Sequence, residues 1–216
     1  MKPVIAVDGP AAAGKGTLAR RLAAALGLPY LDTGLLYRAV GRRVLDAAAD
    51  PADPATAEAA ARALTPADLD RTDLRGPDAD RAAAAVASIP GVRAALLHWQ
   101  RDFAAAHGAV LDGRDIGTVI FPDAPVKFFV TATVEARALR RWRELQAKGV
   151  AADLASVTED MRARDRMDAE RAAAPLRPAD DAVPLETTEL DADQAFERAL
   201  ATVRARLETP ESPARP

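Results

Sequence analysis

The chain predicts an α/β fold, a parallel sheet covered by helices on both faces. Three observations carry this. Short apolar runs alternate with helical patterns along most of the chain, the mark of parallel strands joined by crossover helices. Residues 9–17, GPAAAGKGT, lie between the first apolar run and the first helical pattern. Small residues there let consecutive backbone N–H groups surround one anion, and a helix N-terminus adds donors and a favourable dipole. The charged residues of greatest chemical interest follow predicted strands, where ligands sit in open α/β sheets.

The elements follow in order. VIAV at 4–7 reads as a buried strand. TLARRLAAALG places Leu18, Leu22, Ala25 and Leu26 on one face of a helix at about 15–26, with Gly27 as its stop. LPYLD at 28–32 reads as a short strand; Thr33 and Gly34 then open a helix at about 35–48 that carries Tyr37 and Arg38. Residues 50–81 hold Pro51, Pro54, Pro66 and Pro77 without strand alternation, and predict a small, partly helical, mobile insert. A helix is expected at about 92–106, then strands at 109–113 and 126–132. Further helices at about 134–147 and 157–172 flank QAKGVAAD, and a strand at 182–188 leads to a last helix at about 192–207. The end, ETPESPARP, is Pro-rich and polar and is expected to fray.

Composition limits the function. A net charge of −3 argues against bulk nucleic-acid binding, which needs a basic excess. No apolar run approaches the roughly 18 residues of a membrane span, and no basic-then-apolar leader opens the chain. With no cysteine, disulfide and thiolate chemistry are excluded, which suits a cytoplasmic protein. The only histidines are His98 and His107, so neither a zinc cluster nor a serine–histidine triad has support. Both histidines are expected at the surface, and Trp99 and Trp142 are expected to pack.

The chemistry these residues suggest is phosphate chemistry. Lys15 directly follows Gly14, a spacing from which an ammonium reaches the outer phosphates of a nucleoside triphosphate. The usual phosphate-loop pattern wants Ser or Thr next, but Gly16 stands there and the hydroxyl comes at Thr17. Thr17 is then expected to meet a phosphate, or a metal ion through water. VLDGRDIGTVIFPD ends a strand in Asp112, where phosphate-loop proteins place a carboxylate that holds metal-bound water. Arg114 lies where a second phosphate would sit; a turn capped by its own aspartates would read the same way. Arg137, Arg140 and Arg141 share one helical face, and Arg164, Asp168 and Arg171 share another stripe. Solvated, salt-bridged faces would look alike. A hinged lid at about 137–172 is the functional alternative, because arginines clamp planar oxyanions bidentately. Arg38 faces the same choice between a surface charge and a phosphate ligand.

Five stretches together resemble the bacterial cytidylate kinase family: IAVDGPAAAGKGTLARRLA, YLDTGLLYRAVG, ASIPGVRAALL, LDGRDIGTVIFPDAPVKFFV and RDRMDAERAAAPLRPADDAVPLETT. The resemblance implies one P-loop kinase domain over 1–216, with a monophosphate-binding insert at about 50–90 and a lid. It implies transfer of the terminal phosphoryl group of ATP to CMP or dCMP, with Mg²⁺. Gly9, Pro10, Ala11, Ala12, Ala13, Gly14, Lys15, Gly16 and Thr17 would cradle the ATP phosphates, and Arg140 and Arg141 would lie near ATP. Thr33, Tyr37 and Arg38 would serve the acceptor, whose phosphate Arg38, Arg114 and Arg171 would hold. Arg164 and Asp168 would contact the sugar, and Arg93 and Asp115 would read the cytosine. Lys15, Arg114, Arg164 and Arg171 would carry the catalysis. A further base-contacting hydroxyl of some members aligns with Ala84, so base choice here is expected either to be looser than the family norm or to rest more on Arg93 and Asp115. The implied protein is a monomer that takes no nucleic acid or membrane partner. A related kinase acting on UMP or AMP, and a non-catalytic nucleotide switch on the same fold, are the rival readings.

Overall fold

The computed structural model describes residues 2–171 and 173–208; the frayed end expected at 208–216 lies almost entirely outside them. In chain order the elements are β1 (Val4–Asp8), α1 (Lys15–Leu26), β2 (Tyr30–Asp32), α2 (Thr33–Asp46), α3 (Pro54–Arg62), α4 (Pro77–Ala87) and α5 (Pro90–Ala105). They continue with β3 (Ala109–Gly113), β4 (Val126–Thr131), α6 (Val134–Ala147), α7 (Leu154–Ala169), β5 (Val183–Glu186) and α8 (Ala192–Glu208). A short 3₁₀ turn (Pro66–Asp70) separates α3 from α4, and a π-helical turn (Ile116–Ile120) follows β3.

The chain divides into two compact units. One runs to Tyr30 and resumes at His107; the other is Leu31–Ala106. The first holds strands β1, β3, β4 and β5 of a sheet whose order is β2-β3-β1-β4-β5. β1 pairs in parallel with both β3 and β4, and β4 with β5, as the alternation of elements predicted. Side chains of successive strand residues point to opposite faces. Ile5, Val7, Val110, Val126, Phe128 and Val130 accordingly form one core with Leu18 and Leu22 of α1 and Leu200 and Val203 of α8. Asp8 has the opposite parity, and so does Lys127, which pairs with Ala6 in the register of β4 on β1.

Local chemistry sets the helix ends. Asp53, Thr133 and Asp153 cap α3, α6 and α7 by accepting from the backbone N–H three residues on. α5 begins at Pro90, two residues before the apolar spacing shows, because proline is pre-organised for the first helical turn. α7 starts and stops three residues earlier than expected, from its Asp153 cap to Ala169. Arg171 is therefore not on the helical stripe with Arg164 and Asp168; the chain has already left the helix at Glu170. In the second unit the insert is helical, and α4 packs on α2 while α3 packs on α5. The unit thus begins at Leu31, well ahead of the Pro-rich stretch. A Cβ on Gly41 would stand 2.7 Å from that of Ala82, so glycine lets α2 and α4 approach closely.

Candidate active site

The loop between β1 and α1 is shaped by three backbone conformations. Gly9 has φ +147° and passes so close to β4 that a Cβ would lie 2.0 Å from the Val130 carbonyl oxygen. Gly14 takes φ +91° where α1 begins, a conformation glycine adopts without steric cost. Ala12 is left-handed too, with φ 59°, although it carries a Cβ. Such conformations cost free energy in an L-residue and concentrate at ligand sites.

Lys15 is buried beside this loop. Its Nζ donates to the Pro10 carbonyl at 2.9 Å and stands 3.9 Å from Asp112 Oδ1. Tyr30 Oη donates to the other Asp112 oxygen at 3.2 Å. Asp112 explains Gly16: a Cβ there would meet Asp112 Oδ2 at 3.0 Å. The carboxylate at the end of β3 occupies the space that the usual hydroxyl residue would need, and Thr17 stays exposed one position on. Both Asp112 and Thr17 offer hard oxygen donors, which suits Mg²⁺ held through water, since that ion keeps several waters and takes few protein ligands. Among the described residues no group of three or more metal-ligating side chains occurs.

A second cluster lies beyond β3. Arg114 Nε donates to Asp168 Oδ2 at 2.7 Å, and Arg171 donates to Asp168 Oδ1. Burial pushes the Asp168 carboxyl up, but the charge and hydrogen bond of Arg114, with the charges of Arg171 and Arg164, outweigh it and hold it below the usual range. One buried carboxylate thereby binds Arg114 and Arg171, both expected at the acceptor phosphate, and feels the charge of Arg164. The loss of Arg171 from the helix does not separate it from Asp168, because it folds back across the helix end. Asp115, next to Arg114, is buried and opens the π-helical turn.

The arginines of α6 divide. Arg137 is buried and forks onto Asp165, with contacts of 2.9 and 2.6 Å, and its Nη1 also donates to the Ala11 carbonyl of the loop at 3.3 Å. It joins α6, α7 and the phosphate loop, a role sequence analysis did not assign; its place on the arginine face of α6 was the available signal. Arg140 donates to Thr187, whose hydroxyl in turn donates to the Ala13 carbonyl at 3.1 Å. Arg141 faces Glu144. Trp142 packs as expected, with its Nε1 donating to the Ala152 carbonyl.

The second unit carries the remaining residues. Thr33 is the first residue of α2 and is buried. Arg38 Nε donates to Asp80 at 2.9 Å, and its guanidinium lies over Gly34, where a Cβ would stand 3.1 Å away. Arg93 Nη1 donates to Tyr37 Oη at 3.3 Å. Ala84 is exposed on α4. In the first unit, Asp8, which the sequence does not single out, is buried at the root of the loop and accepts from the backbone N–H groups of Ile116 and Gly117. Burial pushes its carboxyl up to about 6.

A loop that can wrap a polyphosphate, with a lysine at its centre and arginines already gathered by a carboxylate nearby, defines a phosphotransferase of the P-loop kinase class. Comparison with known proteins agrees. The family model described as cytidylate kinase matches residues 5–205. The cytidylate kinase of Granulibacter bethesdensis is 65% identical over 204 residues, covering 94% of this chain and 98% of that one. That of Paramagnetospirillum magneticum is 63% identical over 207 residues, with the same coverage of 94% and 98%. Among solved structures, an uncharacterized protein from Eubacterium ventriosum shares the fold, with a TM-score of 0.56 at 14% identity over 94% of this chain and 99% of that one. The chain belongs to the cytidylate kinase family and is a nucleoside monophosphate kinase. No single helix among the described residues is long and apolar enough to cross a membrane.

Proposed function

We infer that the chain transfers the terminal phosphoryl group of ATP to CMP or dCMP, giving ADP and CDP or dCDP. The observation that carries this reading is the pairing of a lysine-centred phosphate loop with the Arg114–Asp168–Arg171 cluster. A sensor of one nucleotide needs only the loop. An acceptor phosphate needs its own cations.

Phosphoryl transfer depends on positioning and charge neutralisation more than on acid–base chemistry. Gly9 through Thr17 bind the donor phosphates. Lys15 leaves the Pro10 carbonyl to meet the transferring group and offsets its charge. Asp168 holds Arg114 and Arg171 in place, so little ordering remains when the acceptor phosphate arrives. Arg38 contributes a further cation, and Arg164 and Asp168 contact the sugar. Cytosine offers an amino donor at N4 and acceptors at N3 and O2; Asp115 accepts from the first and Arg93 donates to the others. Mg²⁺, held by Asp112 and Thr17 through water, would neutralise charge on the phosphate oxygens. The lid excludes water, Arg137 tying its two helices to the loop and Arg140 and Arg141 lying near the donor. The chain works as a cytoplasmic monomer.

The test is ADP release from ATP with CMP, dCMP, UMP, AMP and GMP in parallel. The reading expects turnover with CMP and dCMP well above the others. ADP release independent of any acceptor would overturn it in favour of the nucleotide switch.

A further inference from the structure

Asp8 is the last residue of β1 and the one before the phosphate loop. Only 4% of it is exposed. Its Oδ1 accepts from the Ile116 N–H at 2.8 Å and its Oδ2 from the Gly117 N–H at 2.7 Å. These are the two residues that follow Asp115. From there the turn closes on itself: the Val119 N–H donates to the Asp115 carbonyl at 2.9 Å and the Phe121 N–H to that of Ile116 at 2.7 Å. Lys127 limits the turn from another side, because a Cβ on Gly117 would lie 3.1 Å from Lys127 Cδ and 3.4 Å from Asp8 Oδ2. The ammonium of Lys127 is itself fixed by both oxygens of Asp181, at 2.8 Å each, and by the Pro122 carbonyl.

A buried carboxylate is costly, and here it meets two main-chain donors. Two parallel N–H groups need two acceptors on one rigid fork, which an ionised aspartate supplies and an asparagine does not. The turn cannot shift without breaking one of these bonds or entering the Lys127 stem. Its main chain is thereby referred to the root of the phosphate loop. We propose that Asp8 is a positioning residue that sets the Asp115 turn, and through it the discrimination of the acceptor base. This rests on the reading of Asp115 as the base-reading carboxylate.

The experiment compares wild type, Asp8→Asn, Asp115→Asn, the double variant and Gly117→Ala, with CMP and UMP as acceptors. Asp8→Asn keeps the shape of the side chain but turns an amide donor toward one of the N–H groups. It is expected to raise the KM for CMP and narrow the CMP-to-UMP ratio of kcat/KM, each about tenfold, as displacements below an ångström do at reacting centres. The KM for ATP should stay within about twofold, which an unspecific loss of structure would not predict. In the Asp115→Asn background the same change should hardly move the ratio, since the two residues act in series. If Asp115→Asn narrows the ratio and Asp8→Asn leaves it at the wild-type value, the proposal is overturned while the reading of Asp115 stands. If Asp115→Asn also leaves the ratio unchanged, the reading itself has failed. Should Asp8→Asn not fold, Gly117→Ala decides: its Cβ would stand 3.1 Å from Lys127 Cδ and 3.4 Å from Asp8 Oδ2, and because Asp181 pins the Lys127 ammonium, the crowding shifts the turn on the Asp8 fork by a few tenths of an ångström. A narrowed ratio supports the proposal, and a wild-type ratio overturns it.

Discussion

Arg114 Nε stands 2.7 Å from Asp168 Oδ2, a contact between residues 54 positions apart that links the end of β3 to the end of α7. The other oxygen of the same carboxylate takes Arg171. Asp168 is thus the hub on which Arg114 and Arg171 depend. An isosteric Asp168→Asn keeps one acceptor but loses the charge. Both arginines should then spend time in other rotamers, and kcat/KM for CMP should fall about 10²-fold, the scale of a misplaced positioning group. Steady-state kinetics on a variant with unchanged circular dichroism checks this. Wild-type kinetics would show that the arginines hold their places without it.

Lys15 is buried and bonded to its own loop, so its removal has a structural as well as a catalytic side. Lys15→Ala frees the Pro10 carbonyl, which should cost about 1 kcal/mol of stability. The larger effect is on turnover. A cation aimed at developing charge in a dry site is worth about 10²–10³ in kcat. Turnover at the wild-type level in a folded variant would remove the lysine from the mechanism.

Ala12 holds φ 59° inside the phosphate loop. A left-handed alanine costs roughly 1–2 kcal/mol, and glycine escapes that strain but gives back part of the gain through its freer unfolded chain. Ala12→Gly should therefore raise the unfolding free energy by up to about 1 kcal/mol, measured by urea denaturation. A loss of stability would mean that the contacts of the Ala12 methyl with the small apolar cluster of α6 and α7 outweigh the strain.

Burial raises the Asp8 carboxyl to about 6; hydrogen bonds from Gly117 and Ile116 and the charge of Lys15 pull it down, while Asp115 pushes it up. The native state therefore binds this proton more tightly than the unfolded chain, where a carboxyl titrates near 3.9. The resulting stability is fully present below about pH 4 and is lost as pH rises through about 6. The gap between the two values corresponds to about 3 kcal/mol. Relative to Asp8→Asn, the wild type should gain stability by an amount of that order as pH falls from 7 to 4. Parallel urea midpoints for the two proteins across that range would refute the assignment.

Strand and helix positions were legible in the sequence because they follow local patterns: apolar runs, a period of 3.6, caps and prolines. The strands among the described residues lie within a residue or two of where those patterns put them. The phosphate loop was legible for the same reason, since glycines, Lys15 and the flanking elements are contiguous. Gly16 was visible as a departure, but its cause was not. Asp112 crowds that position from a strand almost a hundred residues away, and only the pairing of β3 with β1 brings it there. Likewise Arg171 looked like part of a stripe, until the end of α7 took it off the helix and Asp168 recovered it. Asp8 carried no signal, because a carboxylate after a strand looks the same whether water or two buried amides receive it. Sequence by itself determined the elements and the phosphate chemistry, both encoded by neighbours along the chain. Which charges pair, which are buried and which turn each one holds was decided by packing, where the partners are far apart in sequence and close only in the folded state.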